Sequence, residues 1–293
     1  MDKLQGTPDS TKDGLNRCSV TVFFWNENPH PMADRISINP SSVARVLGAI
    51  ALLLIVASIV VQTTAFLTGH DYQFGFLPLF WVENEENIPS GFSTLLLLFA
   101  SLLLGVITYL KITQRRAGAP YWFFLSVGFL LMATDEAWSF HENWITPGQE
   151  VLHGLGYEKL GIFYFAWIIP GSLLVLILGV IYLRFWLRLP QKTRMHFLIA
   201  GMVYLGGAIG GEAIDGSYVE IHGWNWSYTM LVNLEEGLEM AGVILFIWGL
   251  LVYFANEYPE LQVQFKREPQ TLHVGKTAEP SPEHYTPSLS KKT

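Results

Sequence analysis

Six stretches of this chain are each long and apolar enough to cross a bilayer as a helix. They lie near residues 46–68, 90–112, 120–142, 160–183, 195–216 and 231–256. A hydrocarbon layer about 30 Å thick needs about 20 helical residues at a rise of about 1.5 Å each. The first, second and fourth stretches carry no charge in their interiors; Leu52, Leu53, Leu54, Ile55 and Val56 typify the first. One such run could be the buried helix of a soluble domain, but six in one chain exceed what a single soluble core can cover. Composition agrees, with 51% hydrophobic and 15% charged residues, against about 25% charged in soluble domains. The expected fold is an all-α polytopic membrane protein with six transmembrane helices.

Basic residues set the expected orientation, because Lys and Arg collect on the cytosolic side. With a cytosolic N-terminus and six crossings, 17 of the 18 Lys and Arg fall on the cytosolic side, and only Lys159 falls opposite. A missed or invented helix would scramble that bias, so both termini are expected in the cytosol. Three regions follow. Residues 1–42 form a cytosolic N-terminal segment, in which 19–25 could lie along the membrane surface. Residues 43–257 form the transmembrane domain. Residues 258–293, rich in Pro, Ser, Thr and Lys, form a disordered cytosolic tail. The first forty residues lack a short apolar stretch ending in a small-residue cleavage site, so the first membrane helix itself is expected to direct insertion. The expected location is a bacterial inner (plasma) membrane.

Several chemistries are excluded. Cys18 is the only cysteine, so neither an intrachain disulfide nor a paired-cysteine metal motif can form. It also falls on the expected cytosolic side, away from the acidic residues. The chain has no glycine-rich phosphate loop and no basic stripe, so nucleic acid is not an expected partner and the lipid bilayer is.

Acid gathers where base is missing. Of 25 Asp and Glu, 15 map to the expected outer side or outer leaflet. Some decorate loops, such as Glu83, Glu85 and Glu86. Others lie within or against the helices. Asp135, Glu136, His141 and Glu142 end the third stretch, where Asp135 and Glu142 are expected on one helical line, two turns apart. Glu212 and Asp215 share a face of the fifth, three residues apart. Glu235, Glu236 and Glu239 open the sixth. An ionised carboxylate at mid-helix costs about 2.5–3.5 kcal/mol, less near the interface. No Lys or Arg lies in the outer halves of these helices, which leaves protons, His141, neutral hydrogen-bond donors or a bound cation to neutralise the group.

The chain resembles uncharacterised multi-pass bacterial membrane proteins carrying an acidic helix end with His-Glu and a later Glu-Glu-x-x-Glu helix start. The resemblance covers residues 133–142 and 234–240 and implies no particular activity.

Two further features bear on how the acids meet. Gly206 with Gly210 and Gly207 with Gly211 make two overlapping small-xxx-small pairs, which let another helix approach closely; Gly237 and Gly242 suit a tight contact beside Glu239. Pro170 is expected to kink the fourth helix. His153 and His222, in expected outer loops, could close the site from above.

Carboxylates with few histidines and no thiolate suit hard or intermediate divalent cations, so Ca²⁺, Mg²⁺, Mn²⁺ or iron is indicated ahead of zinc. The expected ligands are Asp135, Glu136, His141, Glu142, Glu212, Asp215 and Glu239, with Glu235 and Glu236 as proton-transfer groups. The leading expectation is an outward-facing, metal-dependent membrane enzyme acting on a lipid-like or small amphiphilic substrate. The alternatives are a cation-binding assembly protein and a cation or proton transporter. The inner halves of the stretches are almost wholly apolar, which speaks against a transport path.

Overall fold

The computed structural model describes residues 39–69, 76–81 and 87–258, and no strand occurs among them. Among the described residues nine α-helices follow one another: α1 Pro40–Thr68, α2 Phe76–Phe80, α3 Ile88–Thr113, α4 Ala119–Trp138, α5 Ile145–Gly154, α6 Ile168–Leu187, α7 Gln191–Leu205, α8 Glu212–His222 and α9 Trp226–Glu257. Short 3-10 turns at Glu142–Trp144 and Gly161–Phe163 precede α5 and α6, and a π-helical segment, Gly206–Gly211, joins α7 to α8. Residues 1–38 and 259–293, most of both expected tails, lie outside the described residues, as do Glu83, Glu85 and Glu86.

Three of the longest helices begin on an asparagine cap, which satisfies amide groups that hydrocarbon could not. The Asn39 side chain accepts from the Ser41 amide, Asn87 from Ser90, and Asn225 from Ser227 and Tyr228. Gly69, at φ 64°, closes α1 in the left-handed conformation that glycine adopts without strain.

Five helical runs are long and apolar enough to cross a membrane: α1, α3, α6, the continuous Gln191–His222 run, and α9. A sixth candidate is α4 taken together with the Glu142–Gly154 segment, bent by 73°. Four sequence expectations change here. The third stretch does not continue to Glu142, because Ser139 takes φ 50° and ends α4 after Trp138. Asp135 and Glu142 therefore do not share a helical line. Pro170 sits in the first turn of α6, where its missing amide has no intrahelical partner to lose, so it kinks nothing. His153 and His222 lie on the last turns of α5 and α8 rather than in loops. The Gln191–His222 run carries a π-helical interruption where an unbroken helix was expected.

The long α9 is the central post, touched by α1, α3, α7, α8 and the π segment, while α3 pairs closely with α4. One apolar cluster joins Ala51 of α1, Leu96, Leu97 and Ala100 of α3, Ala133 of α4, and Met240, Val243, Ile244 and Ile247 of α9. A second, toward the C-terminal end of α9, joins Leu104, Ile107, Trp122, Phe185, Leu250 and Tyr253. Below it, Lys111 and Arg116 both donate to Glu257 Oε1, at 3.0 and 2.7 Å. Leucines and isoleucines on α1 and α6 stay largely exposed, as lipid-facing surface would be.

Close approach of α7 to α9 depends on glycine. A Cβ built on Gly242 would stand 2.6 Å from both the amide nitrogen and Cβ of Tyr204, so backbone itself blocks a side chain. At Gly237 the nearest atom, on Ile55, is 3.9 Å away, an ordinary contact and not the tight one expected. Gly242→Ala should therefore destabilise the protein by about 1–3 kcal/mol through overpacking, whereas Gly237→Ala should be nearly neutral. Thermal unfolding in detergent checks the contrast.

Candidate functional site

The site is built where the π segment meets the first third of α9. A π turn holds more residues than an α turn, and such insertions are frequent at functional sites. Four of the six residues of this one are glycine. A Cβ on Gly207 would lie 2.8 Å from the Glu235 carbonyl oxygen and 3.0 Å from Glu239 Cγ. On Gly211 it would lie 2.9 Å from Glu235 Cγ. With hydrogen in those places, α9 packs its acidic face directly onto the segment, and Glu212 and Asp215 at the start of α8 reach Glu235.

The Glu235 side chain comes close to those of Glu212 and Asp215. Ionised carboxylates only accept, so carboxyl groups this close call for a proton or a cation between them. This triad is shielded: Asp215 is 2% and Glu235 9% exposed. The indole nitrogen of Trp167 donates to Glu212 Oε1 at 2.8 Å. The Trp167 ring also meets the His141 ring edge to face, with centroids 4.9 Å apart.

His141 is placed by the turn at Ser139. Beyond it the chain folds back over the end of α4, so that the His141 amide donates to Asp135 Oδ1 at 3.0 Å and its Nδ1 lies 2.9 Å from Oδ2. Among ion pairs between described residues, this is the one that touches the cluster. One turn deeper along α9, Glu239 is hydrogen-bonded to Tyr204 and lies within electrostatic range of Glu136, Glu212 and His141. Glu136 in turn feels His141 and Asp135.

Asp135, Glu136, His141, Glu212, Asp215, Glu235 and Glu239 thus form one connected group drawn from α4, the turn after it, α8 and α9. Glu236 lies alongside, within electrostatic range of Tyr204. Glu142 is exposed, although near enough to Glu212 to affect it electrostatically. His153 Nδ1 faces the Tyr157 carbonyl at 2.8 Å, and the His222 ring stacks on Tyr218 with its Nδ1 3.3 Å from that residue's carbonyl. Both imidazoles thus face backbone carbonyls rather than the carboxyl groups of the site. Among the described residues, no set of three or more His, Cys, Asp or Glu is arranged to hold a metal ion.

Four contributors escaped sequence reasoning. Trp167, Tyr204 and Ser93 are common residues in apolar runs, and nothing in their spacing separates them from interface aromatics or packing serines. Glu220 lies beyond the fifth apolar stretch, where a lone acid carries no signal. It accepts the amides of Leu160 and Gly161, both at 2.8 Å, and so ties the chain before α6 to α8.

The fold, with its long apolar helical runs, defines an integral multi-pass α-helical membrane protein. The chain belongs to the family described as Domain of unknown function (DUF8692), whose match spans residues 46–254 and so contains every candidate site residue. No curated protein and no solved structure matches the chain.

Glu220→Gln should loosen the chain before α6, because a neutral acceptor replaces one making two charge-assisted bonds. Amide hydrogen exchange at Leu160 and Gly161 should quicken by about tenfold or more, the loss of about 1.5 kcal/mol or above. Unchanged protection there would show that Glu220 does not anchor this segment.

Proposed function

We propose that the protein crosses the membrane six times with both termini in the cytosol. In this reading the cluster is an outward-facing cation-binding centre that works on a lipid-like or small amphiphilic substrate. The sixth crossing is α4 with its bent continuation, and the periplasm or exterior is the side toward which α9 begins. The bias of 17 basic residues out of 18 supports this arrangement.

One observation carries the functional reading. Carboxyl groups from α4, α8 and α9 are drawn together, and His141 is their only basic partner among the ion pairs between described residues. Like charges in a poorly polarisable setting cannot all stay ionised, so the cluster holds positive charge as protons or as a cation. The Glu235 triad with Glu212 and Asp215 suits the protons, which makes Glu235 the proton-transfer group best placed to serve a substrate, with Glu236 beside it. The carboxylate-rich donor set suits a hard divalent cation, Ca²⁺, Mg²⁺, Mn²⁺ or iron before zinc. Such an ion would polarise a substrate oxygen or acidify a bound water. The site lies near the helix ends and beside the exposed α6, so a headgroup can approach from the leaflet.

A transporter would need a polar path onward. Below the cluster, the two apolar layers around Leu96 and Leu104 stand in the way, which favours an enzyme or binding centre.

Elemental analysis of detergent-purified protein tests the reading. Wild type should carry stoichiometric divalent metal, and the Glu136→Gln, Glu239→Gln double variant should lose it. Metal-free wild type whose thermal unfolding is indifferent to chelator would overturn the cation reading in favour of a proton-linked role.

A further inference from the structure

The cluster divides into two parts, and the deeper one is a chamber. A cavity the size of one water molecule lies between α3, α4, α7 and α9, lined by Ser93, Glu136, Tyr204 and Glu239. Leu96, Leu97, Met240 and Val243 complete its wall. Ser93 is only 7% exposed, and its Oγ has no hydrogen-bond partner. A buried hydroxyl left unbonded costs about 1–3 kcal/mol, so an unsatisfied oxygen on the wall of a cavity that also carries two carboxyl groups and a phenol points to an occupant.

We propose that this chamber is a binding site for one dehydrated Ca²⁺-class cation, held by Ser93, Glu136, Glu239 and Tyr204. The inference rests on the cation reading above and locates the ion within it. Every polar group on the wall is an oxygen, which selects a hard cation over one that prefers imidazole or thiolate. The two carboxylates balance a double charge. Bidentate carboxylates with the two hydroxyl oxygens supply about six ligands, the lower end of the calcium range. Room for one water leaves no space for a hydrated ion, and Mg²⁺ gives up its waters reluctantly. The Tyr204 hydroxyl can donate to Glu239 and still present a lone pair to the ion. The Glu212–Glu235–Asp215 triad then keeps its protons outside the chamber, so ion and acid occupy adjoining compartments.

Thermal unfolding of the full chain in detergent, titrated with CaCl₂, MgCl₂ or NaCl, tests this. Ca²⁺ should raise the wild-type midpoint more than the other two salts. Glu136→Gln and Glu239→Gln should abolish the Ca²⁺ shift. Ser93→Ala should weaken the apparent affinity on the order of tenfold, the loss of one neutral oxygen contact, and Ser93→Thr, which keeps the hydroxyl, should restore it. Glu212→Gln should leave the shift in place. A Ca²⁺ shift lost in Glu212→Gln but kept in Ser93→Ala and Glu239→Gln would move the ion to the triad, overturning the chamber while the cation reading stands. A larger shift with Mg²⁺ or Na⁺ would overturn the choice of ion. No shift with any salt in wild type would overturn both readings and leave the chamber to a water molecule.

Discussion

Carboxyl groups cannot remain ionised side by side in hydrocarbon, and the organisation of this protein turns on how it meets that constraint. Their usual remedy is a Lys or Arg close by. Here the described Lys–Glu and Arg–Glu pairs, from Lys111 and Arg116 to Glu257, lie at the far end of α9. At the site end the acids instead meet one another, His141, and neutral donors such as Trp167 and Tyr204. Each contact needs a proton, a donor or a cation between the oxygens. The tight helix packing around the site keeps those oxygens together.

That packing is made by missing side chains. In a membrane the hydrophobic effect does little to drive helices together, so dispersion contacts and polar bonds must do so at short range. Gly207 and Gly211 let α9 lie against the π segment, and Gly242 lets Tyr204 press its backbone onto α9. Small residues and acids are therefore parts of one device. Without the glycines, Glu235 could not reach Glu212 and Asp215, and Tyr204 would stand off from Glu239. The π segment adds a local change of register between α7 and α8, which continuous α-helix would not provide.

Much of the architecture was legible in the sequence because bilayer thickness dictates helix length. The apolar runs found near 46–68, 90–112 and 231–256 correspond to α1, α3 and α9 with modest shifts at their ends. The third and fourth stretches were less faithful, for local reasons. Ser139 in the left-handed region ends α4 early, and the chain then makes a 3-10 turn and α5 before α6 begins at Ile168. Hydropathy cannot see a single backbone dihedral, and it gives no warning that an interfacial segment is helical. Periodicity likewise assumed a regular helix through the stretch from 205 to 211, where the glycines permit a π turn.

By itself the sequence determined that the chain is helical, that it is built to cross a membrane several times, and that acid is concentrated near one end of those helices without Lys or Arg to balance it. These follow from composition and spacing, since length, apolarity and charge are properties of single segments. Which acids touch was decided only by tertiary structure. Glu235 joins Glu212 and Asp215 across two helices, His141 folds back onto Asp135, and Glu142 is left exposed although it stands next to His141 in the chain. Ser93 and Tyr204 became site residues only because α3 and α7 bring them beside Glu136 and Glu239. The physical reason is that burial and close approach belong to pairs of helices, and no single helix carries the information.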